Sequence, residues 1–371
     1  MGEAAHAVGT CGKCQETSKA DTRCGSMLTW GRLRHSRSKP GTTPGTLFEK
    51  RKIATNIGGY RDDSLARLFY WVKEQDSRRS FAMKCIDNVS LRDVQAVYSG
   101  PEGQLWELVM GEQIHIGGFA SSMDLAEKAG IGAGTNGVDL CCCNGAGMRF
   151  LVRFRSVARM EGVDATEKVI EQGFSRCQNE GLSDKIEFTL ADVCESGLPD
   201  TNADFVWGED AWCYVVDKEK LISEAARIVK PGGVIAFTDW IEGRAKLTDA
   251  EAKRFLTFMK FPNVQDLEGY SDLLAANGCE VTVAEDTGRF APYVDLYLNM
   301  LNKQLTYDAL KIIGFDSALM QSMGAEMAFM QELAHAGKVA QGLFVARKKN
   351  RRYLGPGDKD GKMSRRQKES C

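Results

Sequence analysis

Short apolar segments alternate with amphipathic helical segments through the middle of the chain, and this alternation limits the fold more than any other feature. The segments that we interpret as strands are GVDL (137–140), MEGVD (160–164), KIEFTLADV (185–193), ADFVWG (203–208) and VIAFTDW (234–240). Helical patterns lie between them at 147–158, 166–181 and 217–229, with Thr166 and Asp217 as the expected N-cap residues of the last two. Strands that alternate with helices typically form a parallel sheet covered on both faces, so we predict a doubly wound α/β fold.

The flanking segments complete the predicted domain organisation. Apolar positions recur at helical spacing in 64–75 and 90–110, and a helix at 266–277 leads into the strand CEVTVAED (279–286). A long helical stretch (289–336) and the strand GLFVARK (342–348) follow. We therefore divide the chain into a disordered basic N-terminal segment (1–52), an N-terminal helical cap (53–120), a main domain with a helical lid at about 289–336 (121–348), and a basic disordered tail (349–371).

Charge and hydropathy exclude several functions. The net charge is only −2, but residues 1–52 and 347–371 are basic and the middle of the chain is acidic. Basic ends without interleaved aromatic residues on a folded face do not make a nucleic-acid groove, so no nucleic-acid partner is expected. No apolar run is long enough for a membrane span, which predicts a soluble, cytoplasmic protein. The Arg-rich, acid-poor stretch 23–52 keeps import into a plastid or mitochondrion open as an alternative, and homodimer formation is also left open.

Three consecutive cysteines in VDLCCCNGAG (138–147) raise the question of metal or redox chemistry. The chain has 12 cysteines without a repeated spacing, and it is long enough to fold without disulfides, so free thiols are expected. Successive side chains of an extended segment point to opposite faces, and no histidine lies nearby in the sequence. We predict no metal site and interpret the cysteines as small residues that fill a loop.

This loop follows the first strand of the predicted sheet, where such folds bind a cofactor. A dinucleotide loop needs G-x-G-x-x-G, but Cys141 and Cys143 occupy the first two glycine positions and only Gly145 remains. A Cβ at position 143 would crowd a pyrophosphate, whereas S-adenosylmethionine has no phosphate. Acidic residues at successive strand ends suit its other groups: Asp164 can accept hydrogen bonds from ribose hydroxyls and Asp192 from an adenine amino group.

Together these segments resemble class I S-adenosylmethionine-dependent methyltransferases. The similar motifs are VDLCCCNGAG, GVDAT, LADV, WGEDAW and IVKPGGVIAFTDW, and MGEQIHIGGF (110–119) resembles the G-E-x-I-H-x-G segment of the sarcosine/dimethylglycine, phosphoethanolamine and tocopherol methyltransferases. The resemblance implies a Rossmann-like, mostly parallel sheet of seven strands, with a helical lid before the last strand. It also implies S-adenosyl-L-methionine as the cofactor, held by Asp139, Cys141, Gly145, Asp164, Ala165, Asp192, Val193, Trp207 and Gly117.

The acceptor side of the predicted site is less well defined. Candidate catalytic residues are Asp210, Tyr214, His115 and Tyr98, and the related N-methyltransferases have histidine where Tyr214 stands in the D-x-x-x-H pattern. Aromatic side chains that can contact a cationic centre are the candidate substrate-binding residues: Trp212, Trp240, Tyr293 and Tyr297.

We therefore expect an enzyme that transfers a methyl group to the nitrogen or sulfur of a small metabolite. A glycine, sarcosine or dimethylglycine type of amine would lead toward betaine, and a methylthiohydroxybutyrate type of thioether would lead to a dimethylsulfonio compound. The missing histidine slightly favours sulfur, because a thioether needs no base. Carbon methylation of a tocopherol-like ring and a non-catalytic S-adenosylmethionine-binding scaffold remain as alternatives.

Overall fold

The computed structural model describes residues 83–350, and their strands form one large and one small sheet. The strands are β1 (Lys84–Cys85), β2 (Asn136–Leu140), β3 (Arg159–Asp164), β4 (Ile186–Leu190), β5 (Ala203–Glu209), β6 (Val229–Glu242), β7 (Asn263–Val264), β8 (Cys279–Asp286) and β9 (Val339–Lys348). The predicted segment 1–52, the helical pattern at 64–75 and the tail beyond residue 350 lie outside the described residues.

The large sheet has seven strands in the order β4-β3-β2-β5-β6-β9-β8. The five strands from β4 to β6 pair in parallel, and β9 runs antiparallel between β6 and β8. The strand order reverses direction beside β2, since the chain proceeds from β2 outward to β4 and then returns to β5. The predicted seven-stranded, mostly parallel α/β fold is confirmed. The small sheet pairs β1 with β7 and has no counterpart in the sequence prediction.

Helices cover both faces of the large sheet and form a layer beyond its edge. They are α1 (Leu91–Ser99), α2 (Pro101–Met110), α3 (Gly118–Ala129), α4 (Ala146–Phe154), α5 (Glu167–Asn179), α6 (Lys218–Ile228), α7 (Asp249–Met259), α8 (Leu267–Ala276), α9 (Phe290–Met300), α10 (Thr306–Ile312) and α11 (Ser317–His335). No helix among residues 83–350 is long and apolar enough to cross a membrane.

Several helix boundaries differ from the prediction for local reasons. The predicted helix 90–110 is two helices, because Pro101 lacks an amide hydrogen and Gly100 before it is extended. The helical stretch 289–336 is interrupted by a π-helical turn at Leu301–Leu305 and by the left-handed residues Gly314 and Phe315. Asp217 caps α6 as predicted and accepts from the Lys220 amide at 2.9 Å. Thr166 lies at the N-cap of α5, but its side chain makes no capping hydrogen bond.

The buried side chains form three clusters. One lies between the large sheet and helices α6 and α8, and a second lies on the other face against α3 and α4. The third joins α1 and α2 to α7, α9 and α11, with Trp106, Phe255 and Met330 among its members. The helices that precede the sheet and those of the predicted lid therefore share one core, which sits beyond the carboxyl ends of the strands.

Candidate functional site

A cavity of about 240 Å³ opens at the carboxyl ends of β2, β3 and β5 and beside the loop after β4, where the strand order reverses. This is the position at which open parallel sheets bind ligands. One part of its wall comes from the strand ends and the loops after them: Asp139, Cys141–Asn144, Asp164–Thr166, Asp192–Glu195 and Glu209–Ala211. The facing part comes from α1, from the segment 112–115 and from the turn after β5, through Leu91, Val94, Tyr98, Glu112–His115 and Tyr214–Asp217.

The cysteine loop keeps the backbone of a glycine loop. Cys141 (φ 66°) and Cys143 (φ 49°) both adopt the left-handed conformation that favours glycine, as does Gly145 (φ 73°). For a residue with a Cβ this conformation costs about 1–2 kcal/mol. Burial raises the pKa of the Cys141 and Cys143 thiols, so they stay protonated and uncharged. No group of three or more metal-ligating side chains occurs among residues 83–350.

Asp164 closes this loop from the end of β3. Its Oδ2 accepts from the amide of Cys143 and its Oδ1 from the amide of Thr166, each at 2.9 Å. Burial raises the pKa of its carboxyl group, and the two amides oppose that rise. A carboxylate oxygen has a second lone pair, so both oxygens can still accept hydrogen bonds from a ligand in the cavity.

A second acidic group lies where Gly147 allows a close approach. A Cβ on Gly147 would lie 2.6 Å from Glu209 Oε2, 3.2 Å from Trp207 Nε1 and 3.4 Å from Asp139 Oδ2. Burial and the charge of Glu209 raise the pKa of Asp139 well above its usual range. Two carboxyl groups at one end of the cavity form a site suited to a cationic group.

His115 belongs to the same end of the cavity. Its Nε2 lies 3.3 Å from Glu209 Oε1 and 3.2 Å from the Ser122 hydroxyl, and that hydroxyl donates to Glu209 Oε1 at 2.6 Å. His115 and Glu209 are both buried. The ring is therefore held in contact with a carboxylate and a hydroxyl at this end of the cavity.

Asp210 follows β5 in a left-handed conformation (φ 50°). Its Oδ2 accepts from the Ile116 amide at 2.8 Å and from Gln341 Nε2 at 2.8 Å. The same Gln341 amide group donates to the Ile116 carbonyl at 3.0 Å. Burial raises the pKa of the Asp210 carboxyl. Asp210 thus joins the turn after β5 to β9 and to the segment before α3.

Tyr98 and Tyr214 meet on the facing wall. Their ring centroids are 5.4 Å apart with an interplanar angle of 81°. Burial raises the pKa of both hydroxyls well above the usual range, so they are neutral at physiological pH. Two ring faces at nearly a right angle form an aromatic corner that opens to the cavity.

The comparisons with known proteins concern this part of the chain. Residues 138–237 match the family described as "Methyltransferase domain". The chain contains a methyltransferase domain. The resemblance to methyltransferases drawn from the sequence is confirmed at this level.

Relatives of the domain differ in their named substrates. Phosphoethanolamine N-methyltransferase 1 of Zea mays is 25% identical over 268 residues, which are 70% of this chain and 50% of that enzyme. The chain spans about half the length of the curated relatives it matches. A candidate sarcosine dimethylglycine methyltransferase from Galdieria sulphuraria has a TM-score of 0.61 at 22% identity, covering 67% of this chain and 98% of that one. Phosphoethanolamine N-methyltransferase 2 of Haemonchus contortus has a TM-score of 0.63 at 19% identity, covering 71% and 61%. At these identities the structural likeness concerns the fold of the methyltransferase domain.

Several predicted site residues line the cavity of the methyltransferase domain. For the cofactor these are Asp139, Cys141, Asp164, Ala165, Asp192 and Val193, and for catalysis Tyr98, His115, Asp210 and Tyr214. Segments far apart in the sequence are therefore brought to one cavity.

Other predicted residues are not among those that line it. Trp212 stacks on Phe237 at 4.0 Å between centroids and donates from Nε1 to the Leu140 carbonyl at 3.1 Å. Trp207 lies fully buried within β5, and Trp240 packs in the core shared by the cap and lid helices. Tyr293 and Tyr297 of α9 belong to that same cluster, and Gly117 and Gly145 serve as left-handed N-cap residues of α3 and α4.

Sequence reasoning missed Ser122 and Gln341, which hold the catalytic candidates in place. Neither follows a motif, because Ser122 is one of several small residues in α3 and Gln341 is a single polar residue in a buried strand. Gly147 and Glu209 belong to the segments NGAG and WGED, so the sequence motifs already included them. Only the fold shows that these two residues approach each other.

Proposed function

We propose that this protein is a class I S-adenosylmethionine-dependent methyltransferase that acts on the nitrogen or sulfur of a small metabolite. One observation carries the proposal: Asp139, Asp164 and Asp192, from the ends of three successive parallel strands or the loops after them, face one cavity at the switch point of the sheet. The match to a methyltransferase domain over the same residues supports it.

The donor set fits S-adenosylmethionine, which is cationic and has no phosphate. Asp164 retains acceptor capacity for the ribose hydroxyls, and Asp192 lies on the wall as an acceptor for the adenine amino group. Asp139 and Glu209 flank Gly147 and suit the ammonium group of the amino-acid arm. A pyrophosphate would need cationic side chains or a glycine at position 143, and the loop has neither.

When bound, S-adenosylmethionine supplies a methyl group that is already activated on a sulfonium. The protein then has to align the acceptor and exclude water, and buried groups around the cavity serve both purposes. The aromatic corner of Tyr98 and Tyr214 faces the cavity from α1 and the turn after β5. The Asp210 contacts with Ile116 and Gln341 hold that turn in place.

An amine acceptor has to lose a proton, and the site offers few groups to take it. Tyr98 and Tyr214 keep their protons because burial raises the pKa of both hydroxyls. The hydrogen bonds that Asp210 accepts from the Ile116 amide and from Gln341 fix the turn after β5, so we assign it a positioning role.

We assign the proton-accepting role to Nδ1 of His115, because Nε2 faces Glu209 Oε1 and the Ser122 oxygen as an N–H donor. A thioether acceptor would leave His115 without a catalytic role.

Two types of product are consistent with the aromatic corner. A quaternary ammonium compound forms from a methylated amine, and a dimethylsulfonio compound forms from a methylthio compound. Both are cationic at the atom that receives the methyl group, and ring faces attract such centres.

Isothermal titration calorimetry of the full chain with S-adenosylmethionine and S-adenosylhomocysteine tests the proposal. Asp164→Asn should weaken binding by at least about tenfold, because it removes the charge that strengthens hydrogen bonds from the ribose. The matched control Asp184→Asn makes the same chemical change at an exposed position and should bind like the wild type. Absence of binding to the wild-type protein would refute the proposal.

Mass spectrometry of methylated products then tests the reaction. The acceptors are sarcosine, dimethylglycine, dimethylethanolamine, phosphoethanolamine, methylthiohydroxybutyrate and a tocopherol precursor. Methylation of an amine or thioether is expected. Cofactor binding without methylation of any of them would instead favour a non-catalytic S-adenosylmethionine-binding scaffold.

A further inference from the structure

The charges on the cavity wall carry an inference about the acceptor that rests on the proposed function. Eight carboxylate side chains line the cavity: Glu112, Asp139, Asp164, Asp192, Glu195, Glu209, Asp210 and Asp217. Among the described residues, Lys220 alone brings a lysine or arginine side chain to the wall. A wall with this composition attracts cations and gives an anionic group little compensation for the water it loses.

Lys220 meets the acceptor part of the wall only at its edge, where its side chain faces Asp217. It belongs to α6, its side chain is exposed, and its Nζ is 4.0 Å from Asp217 Oδ2. Its charge acts on Cys194, which follows Asp192 in the loop after β4. This is the side of the cavity that we assign to adenine, so Lys220 is not placed to hold an acceptor.

The acceptor wall is formed by α1, segment 112–115 and the turn after β5, and its body is apolar. Leu91, Val94, Ile114, Val215 and Val216 surround the aromatic corner. The charged groups of this wall are acidic, apart from His115.

Two arginines of the described residues, Arg149 and Arg176, lie near this wall, and both are paired. Arg176 donates to Glu107 Oε1 at 2.5 Å and lies 3.8 Å from Glu112 Oε2. Arg149 donates from Nη2 to Glu112 Oε2 at 2.5 Å and contacts Glu180 through Nε at 2.9 Å. It also donates to the Asn144 carbonyl at 2.6 Å and does not line the cavity. Arg149 therefore balances the charge of Glu112 and is not available to an anionic acceptor.

We infer that the acceptor is a small amine or thioether that carries neither a phosphate nor a carboxylate. A phosphate in a protein site is usually held by arginine, lysine or a helix N-terminus. Within residues 83–350 the acceptor wall provides no cationic side chain for it, and the N-termini of α1 and α6 already hold the carboxylates of Asp93 and Asp217. Glycine-type amines and methylthio acids each carry a carboxylate with the same requirement. An amine or thioether with a neutral tail needs only the apolar wall and the aromatic corner.

Acceptors with the same reacting atom and different tails test this inference. The nitrogen series is N,N-dimethylethanolamine, N,N-dimethylglycine and N,N-dimethylphosphoethanolamine, and the sulfur series is 2-(methylthio)ethanol and 3-(methylthio)propanoate. For each probe, kcat/KM of the full chain is measured by mass spectrometry, and binding to the protein loaded with S-adenosylhomocysteine is measured by calorimetry. The neutral-tailed probe of at least one series should exceed its anionic partners by at least about tenfold in both measurements.

A charge variant ties the selectivity to the wall. Leu91 lines the cavity at the start of α1 and is partly exposed, so Leu91→Lys places a cation there without burying it. The control Leu91→Met has a side chain of similar length without the charge. Relative to Leu91→Met, Leu91→Lys should raise the ratio of kcat/KM for the anionic probes to kcat/KM for the neutral probes at least about tenfold.

Three outcomes would overturn the inference: anionic probes that equal or exceed the neutral ones, binding of none of the probes, or equal behaviour of the two Leu91 variants. Failure of the proposed function is seen separately, as the absence of S-adenosylmethionine binding in calorimetry.

Discussion

Asp239 is a fully buried carboxyl group that lies directly behind the site, and it gives the most quantitative prediction. It lies in β6, where its Oδ1 accepts from the Cys213 amide at 2.9 Å and its Oδ2 from the Tyr270 hydroxyl at 2.5 Å. Lys218 is also buried and donates to the Val215 carbonyl at 2.6 Å. These contacts hold the turn that carries Tyr214. Burial raises the pKa of Asp239 from 3.8 to about 6, although Lys218 and Tyr270 oppose the rise.

This pKa makes the free energy of unfolding depend on pH with a defined sign. The pKa of Asp239 is higher in the folded protein than in the unfolded chain, so the unfolded chain releases the proton more readily. The associated stability is fully present below pH 3.8 and is lost as the pH rises through about 6. The full difference corresponds to about 3 kcal/mol. Between pH 5 and pH 7.5, about 1–2 kcal/mol of it should be lost.

Asp239→Asn removes this titration and keeps an oxygen that can accept from the Cys213 amide. Urea denaturation of the wild type and the variant at about pH 5, 6, 6.8 and 7.5 gives the free energy of unfolding of each protein. The value for the variant minus that for the wild type should rise by about 1–2 kcal/mol from pH 5 to pH 7.5. The change with pH is the measured quantity, because the variant also leaves Lys218 without its nearest negative charge, which shifts the absolute difference.

The exposed control Asp184→Asn should give a difference from the wild type that stays constant over the same range. A constant difference for Asp239→Asn as well would refute the reasoning, since it would mean that Asp239 does not change its ionisation in the folded protein over this range.

Three further predictions concern the loop and its supports. Replacing Cys141 and Cys143 with glycine removes the strain of their left-handed backbone conformation. Calorimetry should then show an affinity for S-adenosylmethionine that is unchanged or tighter. A loss of affinity of tenfold or more would show that the thiols contact the ligand. Gly147→Ala places a Cβ 2.6 Å from a carboxylate oxygen and should weaken the affinity for S-adenosylmethionine by at least about tenfold. The control Gly324→Ala has no atom within 4 Å of the added Cβ and should leave that affinity unchanged. Gln341→Ala leaves buried polar groups without a donor and should lower the free energy of unfolding by about 1–3 kcal/mol in urea denaturation, and an unchanged value would contradict the assigned hydrogen bonds.

The fold was predictable because its signals are local and repeated. The parallel strands contain apolar runs, and all of them except β4 are followed by a helix with a cap residue or a glycine at its start. The helix α7 was missed although Thr248 and Glu251 form a capping box, a pattern that can be read from the sequence. The pairing of β1 with β7 was not accessible, because two residues at each site are too few for a periodic pattern.

The cofactor side of the site was predictable for a topological reason. Carboxyl ends of parallel strands meet at one edge of the sheet, so acids at those ends come together whatever the details of packing. Asp164 and Asp192 needed only the strand assignment, and both line the cavity.

The acceptor side depends on side-chain direction, which the sequence does not give. Trp212 and Tyr214 are two residues apart in one short turn, but Trp212 points into the core and Tyr214 to the cavity. Trp240 faces the third buried cluster, where it packs against Phe255 of α7 and Phe290 of α9. The fold therefore separates the predicted aromatic cluster: Trp212 and Trp240 lie in the core, and Tyr214 lies on the cavity wall.

The cysteine triplet links the two sides of the site. Cys141 and Cys143 hold glycine-like conformations, so the loop has kept its path and accepts strain of the kind that functional loops commonly carry. Because burial raises the pKa of both thiols, they add bulk to the cavity wall without adding charge. The electrostatic character of the cavity is then set mainly by its eight carboxyl groups, which suits a cationic donor and opposes an anionic acceptor. Cys141 and Cys143, which argue against a dinucleotide cofactor, therefore do not change the acidic wall from which we infer the acceptor.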